Sequence, residues 1–263
     1  MQQEMITKLL VELTEKYSVT SNVQVNFEPG AITVQCAKGG YRFYYDFAGK
    51  PKEDSMQNVP MLHWRLKRRY IELKNVLDQE LVKTALALRI HHIVPKEDFS
   101  ASLEDTLFME IDLAQWICGD KVNQVFASME EHYMNAILST KGGVKLSMEL
   151  GLTPDGSQPV LLHEIIAKTG ILSDVAVDTQ TQQYPIYIFH GHDTKVYTDI
   201  DYELYGLSQS ECDSVRFILW ILNEESRVPY AQEIAKHIQA VICAAKQSSK
   251  SVVYTPVEGG AIA

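Results

Sequence analysis

Hydrophobic positions in residues 102–119 follow a helical period. Leu103, Leu107, Ile111, Ala114 and Cys118 recur three and four apart, which predicts a helix with one apolar face. Ser102 stands before this run as a cap, and Gly119 follows it as a stop. Asp105, Met109, Asp112 and Trp116 form a second stripe beside the apolar one. A stripe of mixed polarity next to a buried one is where a site can sit.

The period changes along the chain. Residues 5–17 place Ile6, Leu9, Leu10 and Leu13 on one face of an amphipathic helix. Three alternating runs follow, on Val23, Val25 and Phe27, on Ile32, Val34 and Cys36, and on Tyr41, Phe43, Tyr45 and Phe47. Pro29-Gly30 and Gly39-Gly40 punctuate them, so they predict a three-stranded meander. Residues 49–60 are polar, carry Pro51 and Pro60, and read as a linker. A helix over 62–79 presents Leu66, Tyr70, Leu73 and Leu77. A strand over 84–94 then points Leu86, Leu88 and Ile90 one way, and Ala85, Ala87, Arg89 and His91 the other.

After the helix at 102–119 the alternation predicts strands at 122–130, 133–140, 143–151, 160–167, 185–190 and 194–199. Two helices close the chain, one lined by Val215, Leu219 and Leu222, the other by Ile234, Ile238, Val241 and Ala245. A short strand at 252–254 ends the ordered part. This order predicts an α+β fold: a largely antiparallel open sheet with helices on one face, preceded by a small helix-plus-meander unit. The divisions expected are 1–48 for the small unit, 49–60 for the linker, 61–256 for the main domain and 257–263 for a tail.

Composition narrows the function classes. The chain has 263 residues and a net charge of -10, which disfavours nucleic acid as a partner. Its basic cluster, Arg65, Lys67, Arg68 and Arg69, reads as a solvated helix face. No apolar run reaches the ~20 residues of a membrane span, and the N-terminus lacks the order of a secretion signal. Four scattered cysteines without a Cys-x-x-Cys pair suit buried thiols in the cytoplasm. His163, His190 and His192 are dispersed, and His190-Gly191-His192 reads as a hairpin turn, so no metal site is expected.

Four segments share an order and spacing with one family. They are Arg69-Tyr70-Ile71-Glu72-Leu73-Lys74, Glu110-Ile111-Asp112-Leu113-Ala114-Gln115-Trp116-Ile117-Cys118-Gly119, Glu164-Ile165-Ile166-Ala167-Lys168-Thr169-Gly170, and the closing helix from His237 to Lys250. From about His63 to Pro256 the chain resembles the C-terminal domain of the Gfo/Idh/MocA oxidoreductases. In that family a Rossmann domain holds NAD(P) through a Gly-x-Gly-x-x-Gly turn. Nothing before residue 60 matches that turn or the family's Glu-Lys-Pro lysine. The resemblance also implies a catalytic Asp-x-x-x-His pair. Asp105 matches the aspartate, but Met109 stands at the histidine position. A thioether cannot accept the hydroxyl proton that hydride transfer must shed.

The resemblance therefore implies a cofactor-less, non-catalytic relative. It would act as an oligomeric binding or partner subunit, with the sheet face forming a homo-oligomer and a sugar-like molecule as ligand. One alternative is an enzyme using the old sugar pocket for isomerisation or elimination, with Asp105 and His91 as catalytic candidates. Another is a subunit completed by a separate Rossmann-domain protein. The ligand-binding candidates are Arg89, His91, Asp105, Met109 and Asp112. Each has a plainer reading. Asp105 lies where a carboxylate completes a helix cap, Glu110 and Asp112 can be exposed acids or ion-pair partners, and Arg89 and His91 can lie under a partner subunit.

Overall fold

The structure is a computed structural model that describes residues 2–49, 52, 54–95, 102–153, 159–174, 186–190, 193–197 and 207–257. Its elements fall into two compact units, Met1–Lys67 with Ile200–Lys236, and Arg68–Asp199 with His237–Ala263.

The first unit opens with α1 (Gln2–Lys16) and continues with β1 (Gln24–Glu28), β2 (Ala31–Cys36), β3 (Gly39–Tyr44) and β4 (Gln57–Pro60). The first three strands pair antiparallel as a meander. Between β1 and β2 the chain turns at Pro29-Gly30, where Gly30 has φ 74° and a Cβ would come 2.9 Å from that of Asp46. Alternation fails to show β4, which pairs parallel with β3 in a segment that reads as linker in the sequence. Four residues ending in a proline carry too little pattern to register as a strand. A 3₁₀ turn (His63–Leu66) and α4 (Gln209–Asn223) also belong to the unit. Phe217 of α4 meets Phe43 of β3 edge-on, with ring centroids 6.5 Å apart.

The second unit is built on a nine-stranded sheet. Its strands are β5 (Ala85–Pro95), β6 (Val122–Met129), β7 (Tyr133–Thr140), β8 (Lys145–Thr153), β9 (Val160–Ala167), β10 (Gly170–Ser173), β11 (Ile186–His190), β12 (Asp193–Tyr197) and β13 (Thr255–Pro256). They lie in the order β12-β11-β10-β9-β5-β8-β7-β6-β13. Every pairing is antiparallel except β5 with β8, so the sheet is the largely antiparallel one that the sequence predicts. Residues 252–254 precede β13 rather than forming it. The strands of the expected hairpin at His190 do pair, but Gly191 and His192 lie outside the described residues.

Two helices of this unit are α2 (Arg68–Asp78) and α3 (Leu103–Cys118), and α5 (Arg227–Ser251) ends within it. The sheet face that meets α3 is apolar: Leu88 and Ile90 on β5, Ala136 and Leu138 on β7, Leu146 and Met148 on β8, all buried. The opposite face carries Tyr133, Ile137 and Ile171 exposed.

Candidate functional site

The helix α3 begins as its sequence predicts. Ser102 Oγ accepts a hydrogen bond from the Asp105 backbone N–H at 3.1 Å, and Asp105 Oδ2 accepts one from the Ser102 N–H at 3.0 Å. This reciprocal pair is a capping box, which satisfies amides that the first turn leaves without partners. The helix stops at Gly119, whose φ of 66° closes the last turn in the left-handed region. Leu103, Leu107, Ile111 and Ala114 are buried, as their spacing requires. Cys118 is half-buried, and burial pushes its thiol up to about 12.

The second stripe is only partly a surface. Met109 is half-buried and Asp112 is fully buried. The Lys74 ammonium lies 5.8 Å from the centre of the Trp116 ring. Arg89 and His91 are elsewhere. Arg89 is paired across the sheet with Glu164, and their side chains form an ion pair at 3.0 Å. His91 is flanked in the same way by Glu149 of β8, which accepts a hydrogen bond from the Tyr133 hydroxyl at 2.9 Å. These residues share the face opposite the one that bears Leu88 and Ile90 and packs against α3. The structure therefore does not bring Asp105 together with Arg89 and His91. Successive strand residues point to opposite faces, and odd-numbered residues of β5 point away from α3.

A different cluster forms on the α3 side. His163 of β9 is fully buried, and both ring nitrogens face carboxylates. Its Nδ1 lies 2.7 Å from Asp174 Oδ2, and its Nε2 lies 2.8 Å from Glu110 Oε2. The other oxygen of Glu110 lies 2.7 Å from Nδ1 of His92 on β5. Asp174 accepts a further bond from the His163 backbone N–H at 2.6 Å and pairs with the Arg69 guanidinium from α2. The ring of Tyr70 meets that of His163 edge-on at 5.1 Å.

Burial alone would push the His163 imidazole down, but Glu110 and Asp174 outweigh it and hold it up at about 9. Burial would likewise raise both carboxylates. His163 and His92 instead hold Glu110 well below the usual carboxylate range, while His163 and Arg69 do the same for Asp174. With His163 charged, two cations (Arg69 and His163) balance two anions (Glu110 and Asp174), which is how buried charges are tolerated. Glu110 is thus an ion-pair partner rather than an exposed acid. Among the described residues no group of histidine, cysteine, aspartate or glutamate side chains is arranged to hold a metal ion.

This cluster carries a faint sequence signal. Glu110 falls three residues after Leu107 and four before Ala114, in phase with the buried stripe. His92 falls in phase with Leu88 and Ile90. A charged residue in a buried phase demands a partner, but period alone does not say which.

The described glycine turns of the first unit do not form a cradle for a nicotinamide dinucleotide. The sequence contains no Gly-x-Gly-x-x-Gly. In the first unit Gly30 turns between the antiparallel strands β1 and β2 and Gly39 opens β3, whereas a pyrophosphate cradle needs a strand-to-helix turn with amides at the helix start.

No protein-family model matches the chain. One curated relative is an inositol 2-dehydrogenase/D-chiro-inositol 3-dehydrogenase of Halalkalibacterium halodurans, 27% identical over 129 residues. That alignment spans 44% of this chain but only 37% of the relative. Among solved structures, an oxidoreductase domain protein from Kribbella flavida superimposes with a TM-score of 0.60 at 13% identity, covering 77% of this chain and 67% of that one. A scyllo-inositol dehydrogenase from Lactobacillus casei, solved with NAD(H) and scyllo-inositol, gives 0.55 at 13% identity, covering 77% of this chain and 65% of the other. Over the superposed part the chain thus shares the fold of these solved structures. Fold and sequence similarity together agree with the resemblance to the C-terminal domain of the Gfo/Idh/MocA oxidoreductases.

Proposed function

We propose that this protein is a binding or partner subunit of the Gfo/Idh/MocA type that carries out no hydride transfer of its own. The observation that supports this reading most is the state of α3. Asp105 is held in a capping box, and the side chain one turn further on is the half-buried thioether of Met109. At the histidine position of the pair that the resemblance implies stands a thioether, which cannot take a hydroxyl proton. The absence of a Gly-x-Gly-x-x-Gly run from the sequence agrees with it.

The ligand class that fits best is a polyol of inositol type, argued from what the similar proteins are named for. The expected assembly is a homo-oligomer through the sheet face that bears Tyr133, Ile137 and the Arg89–Glu164 pair, since an apolar strip rimmed by charges is a contact surface in need of a cover. Two measurements test the proposal. Calorimetric titration of the full chain with NAD(H), NADP(H) and myo-inositol should give no saturable dinucleotide binding. Light scattering after gel filtration should give a mass above one chain. Saturable dinucleotide binding would sink the cofactor-less reading, and a strict monomer would sink the assembly.

A further inference from the structure

The histidine at the centre of the buried cluster makes a demand that its neighbours expose. Both of its ring nitrogens lie within hydrogen-bond distance of carboxylate oxygens, at 2.7 and 2.8 Å. A carboxylate only accepts, so both nitrogens must donate, and only an imidazolium has two N–H groups. A neutral ring would turn a lone pair toward Glu110 or Asp174 at hydrogen-bond distance. The two carboxylates come from different elements, Glu110 from α3 and Asp174 from the residue after β10. Asp174 in turn holds Arg69 of α2. The imidazolium thus joins α3 to the sheet through Glu110 and braces the Asp174 that holds α2.

We propose that His163 is a pH-operated clasp: as an imidazolium it ties α3 and α2 to the nine-stranded sheet, and loss of its proton to solvent loosens those helices from it. The groups facing it from the surrounding elements are Glu110 on α3, Arg69 and Tyr70 on α2, Asp174 after β10, and His92 of β5 acting through Glu110. Without the proton the ring keeps one N–H. With that N–H on Nδ1, Glu110 keeps only His92 as a donor, whereas Asp174 keeps the ring, Arg69 and the His163 backbone amide. Deprotonation therefore weakens the tie to α3 more than the tie to α2. Helix α3 carries Asp105, Met109 and Asp112, so the clasp also governs how firmly that stripe is held.

The direction with pH follows from linkage. The ordinary value is 6.5 and the folded value is about 9. The stabilisation is fully present below about 6.5, declines above it, and is gone once pH has risen through about 9. A gap of this size corresponds to a folding constant weakened on the order of 100-fold. The test uses the full chain labelled with ¹⁵N-histidine, followed by long-range proton–nitrogen NMR and by amide hydrogen exchange from pH 6.5 to 9.5, corrected for intrinsic rates. His163 should show two protonated nitrogens at pH 7.5 and titrate near 9. In the same range α3 and α2 should lose protection at least about 10-fold before β7 and β8 do. His163→Gln should remove this pH dependence, and Glu110→Gln should move the transition to lower pH. A neutral His163 ring at pH 7.5, unchanged protection of α3 through the titration, or simultaneous loss over the whole unit would each overturn the clasp. The wild-type spectra decide the matter even if both variants fail to fold.

Discussion

Replacing Ser102 by alanine separates the capping role of the α3 start from a ligand-binding one. The serine oxygen accepts from the Asp105 N–H at 3.1 Å and donates to Asp105 Oδ2 at 2.7 Å. Losing an N-cap side chain of this type costs about 1 kcal/mol, within a range of about 0.5–2. Asp105→Ala removes the reciprocal bond to the Ser102 N–H and a negative charge at the helix start, the latter alone about 0.3–1 kcal/mol. That truncation removes both the bond from the Ser102 N–H and the favourable charge, so it should cost at least as much as that of Ser102. The two residues share one motif, so the double variant should cost less than the sum of the singles, with a coupling of about 0.5–1 kcal/mol. Urea titrations at pH 7 measure all four corners of this cycle, provided that the slope m stays constant. Thermal midpoints should fall about 2–4 °C per kcal/mol for a unit of this size. Strictly additive singles, or a Ser102→Ala variant within about 0.3 kcal/mol of the parent, would refute the cap. A ligand-binding role for Asp105 would then be the better reading.

Other perturbations address the rest of the molecule. Glu110→Ala leaves two histidines facing a void and should destabilise the second unit by about 3–5 kcal/mol in denaturant titration. Leu138→Ala, at a side chain with 0% exposure on the α3 face, should cost about 2–5 kcal/mol by the same measurement. Gly119→Ala meets no atom within 4 Å, so its cost should be the left-handed backbone alone, about 1 kcal/mol. Ile137→Lys, on the exposed face, should leave the thermal midpoint nearly unchanged while splitting the expected oligomer in light scattering.

The architecture was legible wherever one face of an element is buried. Strands β7 and β8 alternate because Met134, Ala136, Leu146 and Met148 point to the helices while their neighbours do not. Helix α3 was legible in its cap, stripe and stop together. Short elements were not: β4 and β10 have four residues each, and pairing rather than periodicity makes them strands. The cluster around His163 was illegible for another reason. Its members, Arg69, His92, Glu110, His163 and Asp174, come from five separate places in the chain, and only tertiary contact makes them partners. The same limit misled the grouping of Asp105 with Arg89 and His91. Each lies on a face that its own period predicts, but the period does not say that the two faces are opposite.

The last strand has a consequence for how copies of this sheet can meet. β13 covers the outer edge of β6 with two residues, and the second of them, Pro256, has no amide hydrogen to offer a newcomer. A neighbouring chain that tried to extend the sheet there would find a rung missing at its first step. That border resists strand-by-strand growth, which leaves broad faces, rather than this rim, as ground on which assembly can occur.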